Sequence, residues 1–204
     1  MRLALLLCAL FAGLLRAAPA PRLDPDDPAW RDLAATFAHQ PDATADFSER
    51  RSFPFRKTPL ELSGVSRVSP TRGLSLHYLA PDERTVVIDD AGMIVRQADG
   101  TAAAPDPRAS AANAALVHVL RFDLAALAVD FALFGERAGP AWTLTLVPLA
   151  ADLRRAVGEI VVSGEPAQVR RIVIRRSSTQ AVEILVGPAR PTPFGAAELA
   201  RFFR

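Results

Sequence analysis

Residues 45–100 read ADFSERRSFPFRKTPLELSGVSRVSPTRGLSLHYLAPDERTVVIDDAGMIVRQADG, and this stretch decides the fold. Apolar residues recur at alternate positions: Ala45 and Phe47, then Leu60 and Leu62, then Leu74, Leu76 and Tyr78, then Val86 and Ile88. Successive side chains of a strand point to opposite faces, so the spacing predicts short strands with one apolar and one wet face. Phe53 and Phe55 are read as the end of the first strand, broken near Pro54. The turn Asp89-Asp90-Ala91-Gly92 leads to a further strand over residues 93–96. The whole is an antiparallel meander.

Upstream, Asp27 suits a helix N-cap and Pro28 the first helical position. Trp30, Leu33, Ala34 and Phe37 follow at helical spacing, which predicts an amphipathic helix over residues 28–38, ended by Pro41. Residues 19–28, rich in proline and aspartate, form an exposed leader. Before them, Met1 and Arg2 give a short positive start, residues 3–15 an apolar run of 13, and Ala17, Ala18 and Ala20 small residues. That order is a secretory signal peptide over residues 1–20, cut between Ala17 and Ala20. The run is shorter than the roughly 20 apolar residues a membrane span requires. Cys8 is the sole cysteine and falls inside the run, after Leu7, so a lipid-anchoring signal is a poor match. The exported chain, residues 21–204, is then one cysteine-free domain, stabilised by a hydrophobic core rather than disulfides.

Downstream, residues 100–107 form a loop. Residues 109–127 carry the strongest helical signal: Leu116, Val119, Leu120 and Leu124 share one face, Ser110 suits the N-cap, and Arg121-Phe122-Asp123 can divide the helix in two. Strands are expected at residues 129–134, 141–147, 159–163, 168–176 and 180–186, with short helices at 150–157 and 195–203. About ten strands and several helices, segregated rather than alternating, give an α+β fold with a curved antiparallel sheet. The long helix either covers a hollow as a lid or plugs the sheet as part of a dry core.

His39, His77 and His118 stand far apart, in no metal-ligand spacing with each other or with a carboxylate. No phosphate loop, dinucleotide fingerprint or nucleophile elbow is present. Asp89-Asp90 is read as turn chemistry. Net charge is +2 with Lys57 the sole lysine, and no dense basic patch suggests nucleic-acid binding. The pairs Arg154-Arg155, Arg170-Arg171 and Arg175-Arg176 form either a solvated rim or a positive edge for anionic headgroups.

Four segments come in a suggestive order: TADFSERR (44–51), PLELSG (59–64), the proline-led strand of residues 70–78, and APDERTVVIDD (80–90). With FDLAALAVDF (122–131), WTLTLVP (142–148) and IVVSG (160–164), this resembles a divergent subgroup of the outer-membrane lipoprotein carrier (LolA-like) family over residues 30–186. The resemblance implies a half-open antiparallel barrel closed by lid helices over an apolar cavity. It implies a periplasmic, monomeric carrier, not an enzyme, with no cofactor and no metal. Its cargo would be an acylated lipoprotein or another lipid, its donor an inner-membrane protein and its acceptor an outer-membrane one. Family members hold the lid with an arginine before the third-strand proline; here Ser69 precedes Pro70, with Arg67 and Arg72 nearby. A serine offers one neutral hydrogen bond in place of several charge-assisted ones.

The acyl chains are then expected between Phe47, Leu62, Leu76, Tyr78, Val86 and Ile88 of the sheet and Leu116, Val119, Leu120 and Leu124 of the helix. Two rival readings remain: a periplasmic hydrolase or acyl-modifying enzyme on the same scaffold, and an assembly factor with a solid core.

Overall fold

The computed structural model describes residues 21–103, 110–166 and 168–204. The expected signal peptide, residues 1–20, lies outside them, as does half of the loop expected at 100–107 (residues 104–107). The chain runs α1 (Pro28–Ala38), β1 (Ala43–Ser52), β2 (Leu60–Ser69), β3 (Gly73–Ala80), β4 (Arg84–Asp89), β5 (Gly92–Gln97) and β6 (Ala102–Ala103). It continues with α2 (Ser110–Arg121), α3 (Leu124–Asp130), β7 (Phe131–Ala138), β8 (Ala141–Pro148), α4 (Ala151–Val157) and β9 (Glu159–Glu165). It ends with β10 (Gln168–Arg175), β11 (Ala181–Val186), β12 (Arg190–Pro191) and α5 (Ala196–Phe202).

All pairings are antiparallel, in the order β6-β5-β4-β3-β2-β1-β11-β10-β9-β8-β7, with β12 added beside β1. The end strands β6 and β7 do not pair with each other, so the sheet is not closed. One face carries apolar rungs that cross several strands. Val68, Leu74, Ile88 and Met93 make one rung, and Ser66, Leu76, Val86 and Val95 the next. On the other arm, Ile184, Ile172, Val162 and Leu144 continue the same face. Helix α2 lies over this face, touching β3, β4 and β5 as well as α1, α3 and α4.

Asp27 caps α1, accepting hydrogen bonds from the backbone N–H groups of Ala29 at 2.9 Å and Trp30 at 3.4 Å. The helix buries Trp30, Leu33 and Phe37. Gly135 of β7 makes room for the Trp30 indole: a Cβ there would stand 2.4 Å from it. The helix expected at 109–127 is two helices because Phe122 adopts φ +53, a left-handed turn that an α-helix cannot continue through. The cost is offset by packing. Phe122 stacks on Phe37 at 4.7 Å, lies parallel to Trp30 at 6.1 Å, and receives the edge of Trp142 at 5.1 Å. Asp123 then caps α3 through Ala126 N–H at 3.0 Å. The first strand also ends earlier than expected, at Ser52, and residues 53–59 form a loop closed by Arg56 N–H on the Phe53 carbonyl at 3.2 Å.

The opposite face of β2–β5 is covered by the C-terminal segment. Phe202 and Phe203 are buried. The Phe202 ring lies 5.4 Å from His77 and 3.5 Å beneath the Arg67 guanidinium. Burial pulls Arg67 below its ordinary pKa, with Glu198 opposing and Arg201 reinforcing. Arg96 donates to the carbonyls of Arg201 at 3.0 Å and Phe203 at 2.9 Å, and Arg204 forks onto both Asp89 oxygens at 2.6 Å. Phe203→Ala should therefore cost about 3 kcal/mol or more in urea unfolding. Phe55→Ala, in the exposed loop, should stay within about 0.5 kcal/mol.

Candidate functional site

Between α2, the end of α1 and the strands β1, β2, β3, β10 and β11 lies a cavity of about 90 Å³. Its walls are almost wholly apolar. Of the residues expected to meet an acyl chain, Phe47, Leu76, Leu116 and Leu120 line it. Phe37, Val68, Leu74, Ile172 and Ile184 complete it, none of them singled out beforehand. The other six expected residues are core. Leu62, Tyr78, Ile88, Val119 and Leu124 are buried and Val86 half-buried, all packed into the hydrophobic core rather than onto the hollow. Among the polar side chains in the wall, Ser66 Oγ donates to the Ala45 carbonyl at 2.9 Å, Gln168 Nε2 donates to that of Gly187 at 2.7 Å, and the Thr44 hydroxyl bonds the Thr192 hydroxyl at 3.0 Å.

Ligand sites usually enclose about 300–1,000 Å³, so this hollow holds only a short hydrocarbon segment as it stands. A second cavity of about 230 Å³ adjoins it at the Ser69-Pro70 corner. The two share Phe37, Gln40, Val68 and Leu120 as common walls. A shift of α2 that swung Leu120 aside would join them. The interior is thus more filled than the spacing of apolar residues suggests, and space for a long chain depends on α2 moving.

Helix α2 is fastened at its C-terminal end. Arg121 donates through both terminal nitrogens to Asp90, at 2.6 and 3.0 Å, in the turn between β4 and β5. The hydrogen bond from Arg121 holds the Asp90 carboxyl below its ordinary pKa. Asp89-Asp90 is therefore more than turn chemistry: Asp89 holds the chain's C-terminal arginine and Asp90 holds α2. At the family's arginine position Ser69 is buried, and its hydroxyl lies 3.3 Å from Thr71 Oγ1. His118 Nδ1 is 3.6 Å from Asp123 Oδ2 at the same junction.

The far end of the concave face is plugged by charge. Glu49 is 2% exposed and accepts from Tyr78 Oη at 2.5 Å and from Arg51 Nε. Burial, reinforced by Glu49, pushes the Tyr78 phenol well above its ordinary pKa. Burial alone would lower Arg51, but the hydrogen bond and charge of Glu49 outweigh it and raise it. The alternation that turns Phe47 inward does the same for Glu49 and Arg51, a signal present in the sequence. The paired arginines mostly meet carboxylates: Arg171 with Glu183 at 2.7 Å, Arg175 with Glu159 at 3.1 Å, Arg170 with Glu165 at 3.6 Å. Among the described residues no group of three or more His, Cys, Asp or Glu side chains could hold a metal ion, and no helix is long and apolar enough to cross a membrane.

A family model described as outer membrane lipoprotein carrier protein LolA-like matches residues 23–199. Solved structures with a similar fold include an uncharacterised conserved protein from Thermus thermophilus, 12% identical, with TM-score 0.50 and coverage of 85% of this chain and 94% of that one. Another is a LolA superfamily protein from Nitrosomonas europaea, 6% identical, TM-score 0.45, covering 82% and 95%. A third is a putative outer membrane lipoprotein-sorting protein domain from Vibrio parahaemolyticus, 7% identical, TM-score 0.41, covering 85% and 95%. No curated protein matches the sequence.

The Asp90–Arg121 pair predicts a pH signature. A depressed folded pKa means the stabilisation is complete above the unfolded aspartate value of 3.8 and fades as pH falls through the lower folded value. Asp90→Asn should thus lower stability by under about 1 kcal/mol at pH 7, as expected for an exposed pair. The gap between variant and native chain should close as pH falls below 3.8 in parallel urea titrations.

Proposed function

The chain belongs to the LolA-like family of outer membrane lipoprotein carrier proteins, and from that premise we propose that it is a periplasmic carrier of acylated cargo. An acyl chain, from a lipoprotein or another lipid, enters between α2 and the strands and occupies the hollow bounded by Phe47, Leu76, Leu116 and Leu120. Export follows from cleavage of residues 1–20 as a signal peptide. The cargo comes from an inner-membrane donor and leaves to an outer-membrane acceptor.

One observation carries this reading: an apolar cavity roofed by Leu116 and Leu120 of α2. Burying one CH₂ is worth about 0.8 kcal/mol, so a fourteen-carbon chain offers roughly 10 kcal/mol gross. Joining the two cavities, releasing Arg121 from Asp90 and immobilising the chain consume much of that. A moderate net affinity suits a carrier, because cargo must leave again. The wall supports binding over catalysis: Ser66 and Gln168 are tied to backbone carbonyls and Thr44 to Thr192, not aimed at one another.

Leu120 is half-buried, so a polar substitution there leaves the core intact, whereas Val119 at 1% exposure sits within it. Leu120→Glu should abolish uptake of a fluorescent long-chain fatty acid while the circular-dichroism melt stays within a few degrees of the native chain's. Leu120→Ala should keep or improve uptake. Full uptake by a folded Leu120→Glu variant would remove the cavity from the mechanism.

A further inference from the structure

Among the described residues five large apolar side chains are strongly exposed: Phe55 80%, Leu79 55%, Val129 73%, Leu149 51% and Leu185 47%. Three of them sit at one end of the sheet. The register fixes this: Arg51 of β1 is level with Val182, Ile174, Ile160, Leu146 and Leu133 on successive strands. Beyond that rung come the β1–β2 loop with Phe55, the β8–α4 link with Leu149, and the α3–β7 junction with Val129. Leu79 and Leu185 lie elsewhere, since Ala80, next to Leu79, and Leu185 are both level with Ser48 of β1.

The loop of residues 53–59 projects furthest. Ser63 pairs with Ala80 near the end of β3, while β2 runs on to Leu60, about 10 Å further at the rise of a strand. Phe55 stacks on Phe53 at 5.3 Å, and prolines at 54 and 59 stiffen the loop, so the exposed ring is held out rather than folded back. Arg56 and Lys57 follow it, both exposed and with no carboxylate within ion-pair reach among the described residues. On the same rim Arg154 and Arg176 bond backbone carbonyls, of Pro148 at 2.9 Å and Arg155 at 3.4 Å. The acids nearby include Asp82, Asp99, Asp130, Asp152, Glu159 and Glu61, of which Asp152, Glu159 and Glu61 pair with Arg155, Arg175 and Arg50. Residues 49–61 hold four cations and two acids; Glu49 and Glu61 pair with Arg51 and Arg50, which leaves Arg56 and Lys57 as the excess charge of the loop.

We infer that this end of the sheet docks on the surface of an anionic lipid bilayer, with Phe55 entering the headgroup region and Arg56 and Lys57 flanking it. An aromatic ring on a rigid loop beside unpaired cations matches such a surface in both terms: the ring gains from the acyl boundary, and the cations from the negative potential. A protein partner would favour a flatter, contiguous apolar patch, whereas these side chains are spaced around a rim. The cavity walls lie toward the other end of β1, at Ala43 to Phe47, so the docked protein turns its hollow away from the bilayer. The surface therefore acts as a tether, separable from cargo binding.

Co-sedimentation of the exported chain with vesicles tests this. Vesicles of phosphatidylcholine with phosphatidylglycerol should pull the protein down at low salt, pure phosphatidylcholine should not, and salt should weaken binding as it shortens the screening length. Phe55→Ser should weaken binding about tenfold or more. The double variant Arg56→Ser, Lys57→Ser should weaken it about 25-fold, roughly fivefold per cation. Leu120→Glu should bind vesicles like the native chain, which keeps failure of the tether distinct from failure of the carrier reading. Equal binding to neutral and anionic vesicles, no vesicle binding, or native-like binding by both loop variants would overturn the inference. Loss of vesicle binding in Leu120→Glu would overturn it too, by assigning the binding to cargo uptake.

Discussion

An antiparallel sheet that does not close leaves a whole apolar face in need of cover, and α2, together with α1, α3 and α4, supplies that cover. Leu116 and Leu120 press toward the rungs of β1–β3 on one arm and of β10 and β11 on the other. Everything else in the molecule is arranged around this contact. Phe122, held at φ +53 by Phe37, Trp30 and Trp142, fixes the point about which α2 meets α3. The aromatic cluster anchors the C-terminal end of α2 in the core, and Arg121 beside it adds a bidentate ion pair to Asp90. Leu116, Val117 and Val119 are buried, so any shift of α2 uncovers apolar surface that an acyl chain would have to replace.

Charge organises the two ends of the sheet differently. At one end Glu49 is buried between Tyr78 and Arg51, which satisfies its oxygens and fills the interior with groups a hydrocarbon cannot displace cheaply. At the other the cavity wall is mostly apolar, with Ser66 and Gln168 bonded to backbone carbonyls and Thr44 to Thr192. On the proposed function, this asymmetry would confine an acyl chain to the half of the concave face that α1 and α2 cover. On the outer face, Arg96 and Arg204 bind the C-terminal segment over β2–β5, protecting strands that would otherwise expose both faces.

Much of this was legible in the residues. The cap Asp27, the proline after it and the spacing of Trp30 to Phe37 mark α1 to the residue, because helix ends are signalled locally. The alternation in residues 60–97 marks β2 to β5 for the same reason, and the order of segments 44–90 carries the family. What was hidden depends on partners distant in sequence. Phe53 and Phe55 carry a strand's residue types, yet β1 ends at Ser52 because its neighbour β11 begins at Ala181 there. The left-handed turn at Phe122 is favoured only by rings from α1 and β8. The inward faces of β2 to β4 predict which side chains are buried, but not which border empty space; that is why Leu62, Ile88 and Val119 lie in core while Val68, Leu74 and Ile172 line the hollow. The two-residue strands β6 and β12 give no periodic signal at all.

The central claim is that α2 yields to admit a hydrocarbon chain into a space that is small when empty. Native mass spectrometry of the chain purified from an exporting host reads this directly, since bound lipid adds its own mass. A carrier of acylated cargo gives a species heavier than the polypeptide alone by one acyl lipid, lost on organic extraction and regained on incubation with a long-chain fatty acid. A single species at the bare polypeptide mass, unchanged by added fatty acid, would contradict it.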